Sequence, residues 1–184
     1  EDPGAIGSLT LVADQPLEAG GKATVELVYT VGNRPMRVGG GVLAGRQWLA
    51  DVNDFQNQDP AGPNYLSART SGTGARIEAV TVPLVGPHGS QRFPKPMPAF
   101  RLEGADLQTG DTITVIYGDR SGGSPGIGVQ AFETDALLLP LYIDLDGGGN
   151  WLTPRWPRLI VVGGPVAGLR VLAPSVVGAG ESFD

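Results

Sequence analysis

Cysteine is absent from the 184 residues. Disulfides, thiolate zinc sites and cysteine nucleophiles are therefore excluded. Histidine occurs once, as His88 in Gly-Pro-His-Gly, so no histidine-rich metal site can form within the chain. Lysine is nearly missing too: Lys22 and Lys95 stand beside eleven arginines. The net charge of −6 and a pI near 4.7 argue against nucleic-acid binding, which needs clustered cations on phosphate. No apolar run reaches the roughly 18 residues of a membrane span. Helical periodicity is equally scarce, so little helix is expected.

What is abundant is punctuation. Glycine (29) and proline (16) make up about a quarter of the chain, and hydrophobic residues 41%. The glycines and prolines interrupt short apolar runs, which reads as turns between strands rather than disorder. Residues 8–13 (SLTLVA) alternate polar and apolar positions, and residues 22–31 (KATVELVYTV) do so for longer, across a turn at 14–21. This opening is common among immunoglobulin-like sandwiches. Further strands are predicted at 37–44, 66–69, 76–84, 99–103, 111–117, 129–132, 136–143, 159–162 and 169–172. Along 76–84, Ile77, Ala79 and Val82 are expected to point inward. Residues 45–65 lose periodicity and read as a long insertion; 86–98 reads as an extended proline-rich excursion. The predicted fold is an all-β, immunoglobulin-like antiparallel β-sandwich with long loop insertions, spanning residues 1–172. Residues 173–184 are expected to begin a linker or following domain. An exported protein, periplasmic or extracellular, suits such a sandwich.

Residues 110–146 hold the candidate chemistry. The loop 118–128 is rich in glycine and serine, with Asp119, Arg120, Ser121 and Ser124 as candidate binding residues. No Gly-Lys-Ser/Thr ends it, so it is not a P-loop. Its amides can cradle an anion with Arg120 as charge partner, or the loop is a structured turn in which Asp119 and the serines satisfy local amides. Asp144, Asp146 and Asn150 flank a triple glycine and resemble a short calcium loop. The closing glutamate of an EF-hand is missing, and amide capping after a strand explains the same residues. Asp51, Asp54 and Asp59 form an acidic set in the long insertion, without a neighbouring histidine; a self-contained hydrolase would have to work from these acidic loops. Among the aromatics Trp48, Tyr65, Trp151 and Trp156, the last two stand in an irregular proline-containing segment. They are the candidates for an exposed carbohydrate-stacking platform, against a packing role.

The wording GDTITVIYGDRSGGSPGIGVQAF from Gly110, then DALLLPLYIDLDG, then VVGGPVAGLRVLAPS and GESF, resembles the N-terminal region of a bacterial domain-of-unknown-function family. The C-terminal part of that family is similar to polymerase-and-histidinol-phosphatase type metal-dependent phosphoesterases. The resemblance covers residues 104–184 best. It implies a non-catalytic accessory β-domain whose partner is a C-terminal catalytic domain of the same polypeptide. None of the family's metal-ligand motifs is present here, so no catalytic residue is carried over. In this setting the 118–132 loop and strand would dock on the catalytic domain. A carbohydrate-binding module is the alternative.

Overall fold

The computed structural model describes residues 3–47, 50–83, 96–165 and 168. Its first strand is divided. Strand β1 (Ser8–Val12) pairs with one sheet, the Gln15–Pro16 peptide is cis, and β2 (Leu17–Glu18) then joins another. After β3 (Lys22–Ala23) come β4 (Val25–Thr30), β5 (Gly41–Ala44), β6 (Leu66–Thr70), β7 (Arg76–Pro83), β8 (Pro96–Glu103) and β9 (Thr112–Tyr117). The chain continues through β10 (Ile127–Gly128), β11 (Thr134–Leu138), β12 (Leu141–Asp144) and β13 (Arg158–Val162).

Two four-stranded antiparallel sheets carry the fold, in the orders β1-β4-β9-β6 and β12-β5-β8-β7. Period-2 alternation decides which side chains face between them. Val25, Leu27 and Tyr29 of β4 and Ile113, Val115 and Tyr117 of β9 line one wall. Val42 and Ala44, Phe100 and Leu102, and Leu141 and Ile143 line the other. All belong to one continuous core. The architecture is an immunoglobulin-like β-sandwich, as the alternation implied.

Strands β11 and β12 form one long run interrupted at Leu139–Pro140. The first half pairs with β13 and the second with β5. Proline lacks the N–H that an unbroken ladder requires, and the Pro140 carbonyl instead accepts from the Gly45 amide at 2.8 Å. Strand β13 also pairs with β2, and that pair is parallel, an exception to the predicted antiparallel pattern.

Sheet β12-β5-β8-β7 is apolar on both faces. Its outer face presents Leu43, Ala99 and Tyr142, with Val80, Val82, Met97, Trp151 and Trp156 packed against them. Val82 therefore lies on the face opposite Ile77, because an even separation keeps a face and an odd one changes it; Ala79 is exposed. Within this sheet Gly41 is required by proximity: a Cβ there would overlap the Phe100 carbonyl of the paired strand.

Several sequence expectations shift. Residues 22–31 split at Thr24, whose hydroxyl turns out to the Gly118 carbonyl at 2.8 Å. Strand β8 starts at Pro96, three residues earlier than predicted, so the end of the proline-rich excursion is sheet. The 129–132 strand is absent: pairing with β3 stops at Gly128, although the Val129 amide still reaches the Gly21 carbonyl. The expected strand at 169–172 and the expected linker at 173–184 lie outside the described residues, as do His88 and Trp48.

Candidate binding cleft

A cleft of about 720 Å³ opens along one side of the sandwich. It lies between the start of β1 and residues 150–155. Its size falls within the usual range for ligand sites. One wall is built by the four-residue helix α1 (Pro3–Ile6) and the first half of β1. The Ile6 carbonyl accepts from the buried Tyr29 hydroxyl at 2.6 Å, which pins the helix to β4. Gly7 makes the turn into β1 at φ +94°, where a side chain would meet the Thr30 carbonyl. The other wall is pinned by Leu152, which exchanges two main-chain hydrogen bonds with Ile143 of β12 at 2.9 and 2.7 Å. Trp151, Asn150, Thr153 and Arg155 thereby face the space beside Ser8 and Leu9. Arg155 is exposed, and among the described residues no ion-pair partner meets it.

The two tryptophans predicted as an exposed platform are half-buried. Trp156 donates its indole N–H to the Leu141 carbonyl at 3.0 Å and stands edge-to-face on Tyr142, 5.4 Å between centroids. Both its polar handle and its ring contacts serve the outer face of the sheet. Trp151 packs on the same cluster and also lines this cleft, which Trp156 does not.

The glycine loop is a stitched turn. The Gly118 and Asp119 amides donate to the Tyr65 carbonyl, and Asn64 exchanges bonds with Gly126 and Gly128. Asp119 accepts from the Ser67 hydroxyl and from the Ser121 amide (2.9 Å). Partial burial opposes ionisation of Asp119, but these bonds and the nearby Arg69 outweigh it and hold the carboxyl below its ordinary range. Arg120 lies over Gly126 and donates to the Lys22 carbonyl at 3.2 Å. Ser124 is buried and accepts from the Gly126 amide. These polar groups of the loop are thus turned onto the protein, bonds of the kind a structured turn makes. Asp119, Ser124 and Arg120 share the loop without converging on a common space.

Asp144 is buried, and both its carboxylate oxygens are engaged: one accepts from the Asp146 and Gly147 amides, the other from Gly149 at 2.8 Å. Asp146 accepts from the Gly148 amide at 3.0 Å; that bond, with the nearby Arg34, holds its carboxyl below the ordinary range. Asn150 is exposed and lines the cleft instead. These are nested Asx turns, and among the described residues no three acidic or histidine side chains gather to hold a metal ion. Both Asp144 oxygens thus face backbone N–H groups, the arrangement that amide capping describes.

The acidic set in the insertion is similarly dispersed. Asp54 pairs with Arg46 at 3.4 Å, Asp59 accepts from the Ala61 amide, and Asp51 is exposed. Sequence reasoning missed Ser8, Leu9, Thr153 and Arg155 as cleft residues. For Ser8 and Leu9 the available signal was the first strand's lack of any charge or proline.

No protein-family model matches the chain, and a search of the curated proteins finds no match. Among solved structures the chain is similar to a cohesin module from the family 33 glycoside hydrolase of Clostridium perfringens ATCC13124. The TM-score is 0.42 at 9% identity, covering 87% of this chain and 99% of that one.

Proposed function

We propose that this chain is a non-catalytic accessory domain that works by binding another protein surface. The partner is a metal-dependent hydrolase domain of the same exported polypeptide. The observation that carries the reading is the cleft: an open side of the sandwich, with a half-buried tryptophan and an arginine that meets no ion-pair partner among the described residues on its rim. The resemblance of residues 104–184 to the N-terminal region of hydrolase-bearing proteins supports the choice of partner. Among the described residues no helix is long and apolar enough to cross a membrane. The test is the complete open reading frame together with a binding titration between this chain and the domain that follows Asp184. A saturable complex is expected. A stop codon directly after Asp184, or a following domain that does not bind, rejects the proposal.

A carbohydrate-binding role is the second reading, favoured by Trp151 beside Asn150, Ser8 and Thr153 in one cleft. It expects glycan affinity lost in Trp151→Ala but retained in Trp156→Phe. A glycan array without any bound sugar removes it.

A further inference from the structure

We propose that the open edge of β1 takes up an extended acidic peptide segment of the partner domain, laid in the cleft against Arg155. The inference rests on the interaction-domain reading and names its surface. It begins with the direction of the main-chain groups. The Val31 amide donates to the Asp111 carbonyl, and the Val31 carbonyl accepts from Gly110. Val31 therefore faces β9, and by alternation Glu26, Val28 and Thr30 face β1. Their register partners are Val12, Thr10 and Ser8. The N–H and C=O groups of Leu9 and Leu11 consequently point away from the sheet, while their side chains pack on the core. Among the described residues β1 pairs with β4 alone.

Edge strands that must stay unpaired usually carry charge or proline. Of the other three outer strands of the two main sheets, β6 has Arg69, β7 has Arg76, Glu78 and Pro83, and β12 ends in Asp144 and is bridged at Ile143 by Leu152. Strand β1, SLTLV, has neither. It is uncharged and β-prone, and Val12 at its end is 53% exposed. This is the edge on which strand addition meets no built-in obstacle.

Charge selects the occupant. Arg155 is the single charged residue on the cleft lining. At physiological ionic strength charges are screened beyond about 8 Å, so a peptide seated here answers to Arg155 more than to the net −6 of the chain. An aspartate or glutamate in the inserted strand completes the ion pair. Five residues of β1 offer about 17 Å of edge at strand rise.

The test follows amide hydrogen exchange by NMR in the whole chain. The probe is a set of acetylated hexapeptides of alternating valine and threonine, randomised at the flanks, with a central Asp, Glu, Asn or Lys. With the Asp and Glu pools at ten times their Kd, exchange at Leu9 and Leu11 is expected to slow by about tenfold. Ser8, Thr10 and Val12, already bonded to β4, stay unchanged. Arg155→Glu is expected to shift preference to the Lys pool. Absence of protection with every pool overturns the proposal. So does concentration-dependent protection without peptide, which marks a second copy of the chain. Binding of hexagalacturonate that perturbs Trp151 fluorescence without protecting Leu11 overturns it in favour of a saccharide. If β1 gains no protection while the chain still binds the following hydrolase domain, the edge proposal falls and the interaction-domain reading stands.

Discussion

Tyr117→Phe is expected to make the protein more stable. Tyr117 and Tyr29 sit on adjacent strands, both fully enclosed in the core, and differ in one respect. The Tyr29 hydroxyl donates to the Ile6 carbonyl at 2.6 Å. Among the described residues the Tyr117 hydroxyl has no partner, and its ring stands edge-to-face on Phe55 with centroids 5.2 Å apart. A buried hydroxyl without a partner costs about 1–3 kcal/mol, whereas the dispersion contacts of one oxygen amount to tenths. Removing it is therefore expected to stabilise by about 1–2 kcal/mol, a Tm rise of about 2–8 °C in a domain of this size. Tyr29→Phe has the opposite sign: it strands the Ile6 carbonyl and costs about 1–2 kcal/mol. Urea and thermal unfolding of the two variants, with unchanged m-values, measure the difference. The alkaline limb is a second readout. Burial pushes both phenols up, so their contribution is intact below the unfolded value of about 10 and is lost as pH rises beyond it. Tyr117→Phe is expected to flatten that loss. Destabilisation of Tyr117→Phe by 1 kcal/mol or more would show that the hydroxyl is satisfied and refute the reasoning.

Asp144→Ala removes the buried carboxylate that accepts from three amides of the exposed 146–149 turn and is expected to cost about 1–2 kcal/mol by urea unfolding; added calcium is expected to leave the wild-type melt unchanged, and a rise that Asp144→Ala abolishes would show an ion site at this turn. Trp156→Phe keeps an aromatic ring on Tyr142 but loses the bond to the Leu141 carbonyl. It is expected to cost about 1 kcal/mol without changing affinity for a partner; unaltered stability would mean the segment is held by other contacts. Asp119 has its folded pKa lowered, so its contribution is complete above the ordinary aspartate value of about 3.9 and is lost as pH falls through it. Asp119→Asn is expected to make stability fall less steeply in acid, and an unchanged acid slope counts against the Ser67 and Ser121 bonds.

The strands were legible where alternation was long. In β4 and β9 the period-2 pattern names the inward residues correctly, because both strands are central and have one face on the core. Strand β7 was harder. It is an edge strand with apolar contacts on both faces, so Ile77 and Val82 look alike in sequence but lie on opposite sides. The two faces of β5, β8 and β12 are equally invisible to a periodicity argument, since a sheet buried on both faces reads as continuous apolar residues. Candidate-site residues were recognised by type, and type does not tell where an oxygen points. Asp144 and Asp119 carry the residue types of a binding loop, yet each is turned to local amides. Arg155 gave no signal, because what sets it apart is that no ion-pair partner meets it among the described residues, a property of tertiary placement.

The parallel pairing of β2 with β13 has a mechanical consequence. One strand comes early in the chain and the other late, and they run in the same direction. A pull applied through the residues before β2 and after β13 drags the two strands lengthwise past each other. The Leu17–Val161 and Glu18–Val162 pairings, the Ala19 amide on the Val162 carbonyl and the Ile160 amide on the Gln15 side chain are then loaded together rather than one after another. Under tension between its flanking segments the sandwich bears force in shear, so these bonds must break together before the strands part.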